Sequence, residues 1–471
     1  MSSYEMNRTE VGHQPSQDRD KLDLARVGKK AVLKRNFNIL SILAFSCTIT
    51  ATWEGLLDAF LLPMANGGPA GAVYGYIFAW IRTGSCFVVL AELSSMAPTS
   101  GGQYHWCAML APPSCMKFYS YITGWITVFT WQPVFASIAL LSGTEIQGAA
   151  ILTFKKYQSK PYHGTLILCG CVLVALAVNT VGGKLLPRLE NLVFVLHLVV
   201  FLAILITLTY MADHKSAQEV FTTWTSQGGW SSNGIVFFIG MQGSVFAFSG
   251  GDAAVHMAEE VQHAWVVIPR ALILTVLING VLGFGMLIRV LFCMGDLEAA
   301  TNSPTGYPYM EVSPMTNIPN YSVFFTMAVS CFLGLINIGS DVVLKDILSM
   351  AVSSLYLSYL AVGTLFFYRR VCGHIRASSE CEEVIVNISN APLVWGPFQV
   401  PGILRTVNNG FAVCYMIIVI FFSFWPTTVV VDYTSMNYSV VGTFGMVLIA
   451  IIYYIVRAKC LPRSGRGSVI K

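Results

Sequence analysis

The sequence predicts an all-α, polytopic membrane protein, and three observations carry that expectation. Of 471 residues, 55% are hydrophobic and only 11% charged, with a mean hydropathy of +0.63; a soluble domain carries about 25% charge. Apolar runs recur at 38–62, 71–93, 118–146, 164–181, 192–210, 234–258, 268–294, 321–338, 347–368, 410–425 and 440–456, near the ~20 residues needed to cross a bilayer. The charges gather between these runs rather than within them. In lipid every backbone polar group needs an internal partner, and no run alternates as a barrel strand would, so these about eleven spans are expected to be helices.

Taking the chain in order, the first 37 residues are polar and are expected to form a disordered cytoplasmic tail, with no apolar core that would make them a signal peptide. Lys21, Arg26, Lys29, Lys30, Lys34 and Arg35 precede the first span, and Arg457, Lys459, Arg463, Arg466 and Lys471 follow the last. The positive-inside rule then puts both 1–37 and 457–471 in the cytoplasm, flanking a membrane domain at 38–456. The net charge of +4 lies at span ends, where topology accounts for it, so no nucleic-acid partner is expected. Most of the twelve cysteines, among them Cys47, Cys86, Cys169, Cys171, Cys293, Cys331 and Cys414, fall in apolar runs, where cysteine acts as a small hydrophobe. No cysteine spacing resembles a zinc site, and no metal or cofactor is expected.

Loop charges test the span count. Starting from a cytoplasmic N-terminus, the loops with Glu92 to His105, with Lys184 and Arg188, and with Glu259, Glu260 and Arg270 fall inside. Working back from a cytoplasmic C-terminus, the loop with Arg369, Arg370, His374 and Arg376 is inside and that with Asp432 outside. The two walks disagree between Met294 and Tyr321. An odd number of spans cannot place both basic ends on one side, so either a span is missing near residue 315 or one terminus violates the charge rule.

Two spans are interrupted by polar residues and glycines. The first holds Thr48, Thr50, Thr52, Trp53, Glu54 and Gly55; the sixth holds Ser249, Gly250, Gly251 and Asp252. Breaks five spans apart point to a site near the bilayer midplane, because unwound backbone offers N–H and C=O groups to a ligand. Glu54 and Asp252 are costly in lipid and are expected to face a cavity or a partner. The bland alternative is that Ser and Thr bond back to their own helices and the glycines serve close packing. Trp53, Phe246 and Phe248 flank the breaks and could stack on a cationic amine or simply pack.

His197 stands in the apolar run Val193 to Ile204 with no ionisable neighbour in sequence. It is either a proton carrier or a neutral histidine bonded to a neighbouring helix. Arg82, in the second span, could snorkel, pair with an acid such as Glu92, or line a pore. His256, Glu259, Glu260 and His263 have metal-ligand side chains, but not the spacing of a metalloprotease site.

The runs Thr52-Trp53-Glu54-Gly55, Glu92 through Trp106 and Gly251 through Glu260 resemble those of the fungal amino acid/choline permeases, which include GABA and choline permeases of the amino acid-polyamine-organocation superfamily. The likeness runs from about Asn38 to Val456 and includes Met436-Asn437-Tyr438. It implies an inverted-repeat transporter fold, two five-helix repeats plus two trailing helices, with substrate held at the broken first and sixth helices. Thr50, Thr52, Trp53, Gly250, Gly251 and Asp252 would then line the site. The family has twelve spans; here Tyr307-Pro308-Tyr309 runs almost directly into Asn317-Ile318-Pro319, and the family's eighth span is missing.

The implied function is secondary active transport of an amino acid or small amine such as GABA or choline, with a proton as coupling ion and the lipid bilayer as surroundings. The substrate-binding set is expected to be Thr50, Thr52, Trp53, Glu54, Phe246, Phe248, Ser249, Gly250, Gly251 and Asp252, with His197 the proton-coupling residue. The location implied is the plasma membrane, with the vacuolar membrane as the alternative. A non-transporting nutrient sensor or an inactive shortened permease are the competing outcomes. An enzyme would need a convergent acid, base or nucleophile cluster, and a channel a ring of like charge; the sequence shows neither.

Overall fold

In a computed structural model, residues 24–29, 33–153, 157–158, 160–182, 186–211, 215–294, 343–381, 383, 385–433 and 435–460 are described. The run at 321–338 and the expected gap near 315 lie outside them. The first apolar run is three helices: α1 (Ile39–Thr50), α2 (Thr52–Asp58) and α3 (Leu61–Ala65). Asn38 starts α1 by accepting the Leu40 and Ser41 amides, and Ser41 Oγ accepts the Asn38 amide in return, a capping box. α4 (Gly68–Met96) opens with Pro69 in its first turn, where the missing N–H costs nothing. It is followed by α5 (Gly102–Leu110), α6 (Met116–Thr153), α7 (Pro161–Gly182), α8 (Leu186–Met211) and a short α9 (Ala217–Thr222).

The sixth run divides into α10 (Asn233–Ala247) and α11 (Ala253–His256), with a 3-10 turn at Ala258–Glu260. α12 (Ala264–Cys293), α13 (Val343–Val371), α14 (Leu404–Ser423) and α15 (Ser439–Cys460) complete the helices. Between α13 and α14, β1 (Ile375–Arg376) and β2 (Leu393–Val394) pair in parallel, Ile375 opposite Leu393. Among the described residues, eight stretches are long and apolar enough to cross a membrane, and Tyr162–Ala177 and Asn233–Ala247 add shorter apolar helices.

Small residues let the helices approach closely, as lipid-embedded packing requires. α12 lies along α4, where a Cβ at Gly280 would fall 1.8 Å from Trp80 Nε1 and one at Gly283 2.3 Å from the Tyr76 hydroxyl. Those two polar tips donate to Val276 O (2.8 Å) and Gly280 O (2.9 Å). α1 packs against α8 and α12, and α13 packs between α6 and α14.

The end expected to be cytoplasmic is laced shut. Glu92 of α4 and Arg370 of α13 pair at 2.5 Å with both side chains buried. Arg370 also donates to Arg405 O (2.7 Å) and Asn409 Oδ1 (2.9 Å), and the Val400 amide donates to Glu92 (2.9 Å). Arg82 therefore has no claim on Glu92; its guanidinium lies 4.7 Å from the Phe411 ring. Asn387 donates to Met96 O and accepts the Val394 amide, both at 2.7 Å, tying the 373–403 segment under α4. His105 of α5 is half-buried, and its desolvation, with Lys29 nearby, pushes its pKa down to about 4, so it is neutral near pH 7.

Of the expected disordered tail, residues 24–29 and 33–37 are described, and they are in contact with the bundle. Leu24 and Val27 are buried, the Val386 amide donates to Arg26 O (2.8 Å), and Lys29 pairs with Glu259. Phe37 exchanges backbone hydrogen bonds with Glu260 and Gln262. Buried apolar side chains and bridged backbone offset the entropy of ordering this stretch, which a reading by polarity alone does not weigh. Residues 1–23 and 461–471 lie outside the described residues.

Candidate functional site

The two interruptions are real helix breaks, and they meet. Between α1 and α2, Ala51 takes a left-handed conformation (φ 39°, ψ 49°). Between α10 and α11 the chain unwinds through Phe248 to Asp252, with Gly250 at φ 95°, a geometry that glycine adopts without penalty. A Cβ on Gly250 would lie 3.2 Å from Ile49 Cγ2, and one on Gly55 would lie 3.4 Å from Ala247 Cα. Each break thus lies against the other helix.

Their side chains divide into two groups. Thr50 donates to Ser46 O (2.7 Å) and Ser249 to Val245 O (3.1 Å), so these two bond back to their own helices. Thr52 does not: it is buried against α12 near Gly283, and its hydroxyl has no hydrogen-bond partner among the described residues. Phe248 is buried on Tyr76, ring centroids 5.2 Å apart, whereas Phe246 is half-buried and reaches Gly55. Gly251 faces Phe87, whose ring would sit 2.2 Å from a Cβ there.

Asp252 is fully buried and held from the side of α5. Gln103 Nε2 donates to it at 2.7 Å and His256 Nε2 lies 3.6 Å away, with Tyr359 of α13 beside it. His256 also contacts Ser100 O (3.0 Å), and Glu259 accepts the Ser100 amide (3.1 Å) while pairing with Lys29. The acids and histidines of this run are thus engaged in tying α5 and the N-terminal segment to α11.

Glu54 has a different partner. His197 of α8, isolated in sequence, has its Nδ1 2.5 Å from Glu54 Oε1 and 3.2 Å from Trp53 Nε1. One ring nitrogen thus faces a carboxylate, to which it donates when protonated, and an indole N–H, from which it accepts when not. Trp53, which packs on the imidazole with ring centroids 5.7 Å apart, belongs to an apolar cluster with Leu57, Phe201 and Met286, where low polarity strengthens a hydrogen bond. Two turns away on α8, Glu190 is buried and accepts from the Thr48 hydroxyl at 3.1 Å.

Several of these residues were not singled out in the sequence. Asn279 of α12 donates to Cys47 O (3.1 Å), one turn before the first break, and its Oδ1 is unpartnered among the described residues. A lone amide in the run Leu277-Ile278-Asn279-Gly280 was the available signal. Gln103 and Glu190 lie at the borders of polar loops, where nothing local distinguishes them from solvated residues.

Two broken helices cross within a helical bundle, an arrangement whose unwound backbone is able to hold a ligand. The sequence matches the amino acid permease family over residues 37–313, and the chain belongs to that family. It is 32% identical over 308 residues to a choline transporter of Saccharomyces cerevisiae, covering 65% of this chain and 54% of that protein. Amino-acid permease 2 of Neurospora crassa is 24% identical over 475 residues, 92% of this chain and 86% of the relative. An uncharacterized amino-acid permease of Schizosaccharomyces pombe is 24% identical over 516 residues, 95% of this chain and 90% of the relative.

Proposed function

We propose that the protein is a secondary transporter of an amino acid or small amine, GABA and choline being representative, and that the substrate sits where the two breaks cross. The approach of Gly250 to Ile49 carries this proposal, because it brings two stretches of unwound backbone to one point. Buried polar groups are normally paired, yet Thr52 Oγ1, Asn279 Oδ1 and Glu54 Oε2 have no hydrogen-bond partner among the described residues. An ammonium group suits the two acceptors on Asn279 and Glu54, and Phe246 supplies a half-buried aromatic face. Family membership and the printed names of its relatives support the same substrate class.

Transport is coupled to protons through the Glu54–His197 pair. A proton held between the two lets Nδ1 donate to Glu54; its loss frees Nδ1 to take the Trp53 N–H, and Trp53 lies in the first turn of α2. Proton occupancy and the position of the broken helix are thereby linked. In cells expressing the chain at the plasma membrane, or the vacuolar membrane if it is retained there, uptake of labelled GABA, choline and a basic amino acid should rise as the pH on the entry side falls. A protonophore should collapse it, and His197→Gln should remove the pH dependence. Uptake that follows sodium at fixed pH would overturn the coupling.

We further infer that the chain is a shortened permease whose transport is weak as it stands. The family match stops at residue 313, where the loop charges lose their alternation. The alignment to the S. pombe permease covers 516 positions, more than the 471 residues of this chain, so that relative carries residues with no counterpart here. Without the eighth span the second repeat lacks the counterpart of the first repeat's third span, so the crossing of the breaks is less firmly supported. Inserting a family eighth span after Pro314 should raise uptake at least about tenfold. If the unaltered chain has both tagged termini in the cytoplasm and transports as well as the extended one, no helix is missing.

A further inference from the structure

The end of the bundle expected to be cytoplasmic carries a basic cavity remote from the helix breaks. It has a volume of about 340 Å³ and lies between the C-terminus of α5 and the 373–393 segment. Arg369, His374 and Arg376 line it with Asn390, over a floor that includes Met109 and Leu393. Among the described residues, no carboxylate lies within ion-pair distance of these three bases, whereas the neighbouring Arg370 is paired with Glu92.

The walls are fixed. Arg369 donates to Leu110 O (2.6 Å) and Ala111 O (3.3 Å), capping α5, and its third nitrogen lies 3.3 Å from His374. On the opposite rim Ser389 donates to Ala108 O (3.3 Å) and the Ala391 amide to Ile388 O (3.1 Å). β1 pairing places Arg376 at the cavity, where its side chain is exposed.

Membrane orientation alone accounts for basic residues at a cytoplasmic helix end. It does not call for a preformed cavity that concentrates three of them without a counter-ion among the described residues. Arg369 is already used in capping and in its contact with His374 Nδ1, so the Arg376 guanidinium and His374 Nε2 are the groups left to bind something. A guanidinium matches the geometry of phosphate oxygens bidentately, and basic pockets between membrane helices on the cytoplasmic side suit anionic headgroups.

We propose that this cavity binds a phosphomonoester, presented either by an anionic lipid of the cytoplasmic leaflet or as free phosphate. Full-length protein is reconstituted into phosphatidylcholine nanodiscs with or without phosphatidic acid, and the retained lipid is counted by native mass spectrometry. In parallel, inorganic phosphate is titrated into protein in detergent and followed by calorimetry. The wild type should bind at least one probe: phosphatidic acid alone identifies a lipid site, and phosphate binding identifies a site for the free anion. Arg376→Gln and His374→Gln should each weaken that binding about fivefold, in line with one lost basic residue, and Arg376→Lys should recover part of it. Arg457→Gln, which removes a charge on α15 outside the cavity, should change nothing. Equal losses in all three glutamine variants would mean diffuse attraction, and no loss in Arg376→Gln, or no binding of either probe, would equally overturn the site.

Discussion

Replacing Gly251 with leucine is expected to abolish uptake, in both the chain as it stands and the version with an added eighth span. The position has no room: the Phe87 ring, itself buried, would lie 2.2 and 2.3 Å from a Cβ, and leucine adds three further carbons. The second break must then move away from α4, and with it the crossing with α1. Gly251→Ala should give a smaller loss, because one methyl can be met by a shift of the ring. Gly84→Leu, on the same helix α4 but with nothing within 4 Å of its Cβ position, should leave uptake unchanged. Uptake is scored per molecule at the membrane, by surface labelling of a terminal tag. Normal uptake by Gly251→Leu at normal abundance would remove the crossing from consideration as the substrate site.

Arg370→Met is expected to be the most destabilising single change at the end of the bundle that carries the Glu92–Arg370 pair. It leaves Glu92 buried without its cation, a situation that costs about 3–5 kcal/mol, and strands the carbonyl of Arg405 and the amide oxygen of Asn409. The guanidinium also lies 4.4 Å from the Phe366 ring and 4.9 Å from that of Trp395, contacts that methionine only partly replaces. The double variant Glu92→Gln with Arg370→Met should regain much of the loss, because no uncompensated charge remains. Thermal unfolding of the detergent-solubilised protein decides it. A single variant as stable as the wild type, or a double variant less stable than the single, would show that the pair does not hold this end together.

The spans and both helix breaks could be read from the sequence because each depends on local composition: apolar length in one case, glycine and polar clustering in the other. His197 was legible as a titratable group out of place, but Glu54, its partner, stands 143 positions earlier. The same distance problem hid the assignment of Glu92 to Arg370, 278 positions apart, and made Arg82 look like a rival for that acid. Asp252 and Glu54 looked equivalent, one acid per break. Only the tertiary packing of α5, a helix too short and too polar to register as a span, engages the first and leaves the second facing α8. The ordered N-terminal segment escaped notice for a similar reason, since Leu24, Val27 and Phe37 are scattered apolar residues in a polar stretch, and its backbone bonds to Glu260, Gln262 and Val386 reach more than 200 positions along the chain.

The two breaks are chemically unequal. The second is made by Gly250, for which the left-handed backbone is nearly free, whereas the first is made by an alanine, the residue with the strongest preference for continuing a helix. Holding Ala51 left-handed works against an intrinsic cost of about 1–2 kcal/mol. That load is borne by its surroundings, through the Asn279 amide on Cys47 O before the break and the Trp53 indole on His197 after it. The first break is therefore the strained joint of the two, flanked by two long-range hydrogen bonds. The hinge at Gly250 carries no such cost, so one strained joint and one relaxed joint stand at the same crossing.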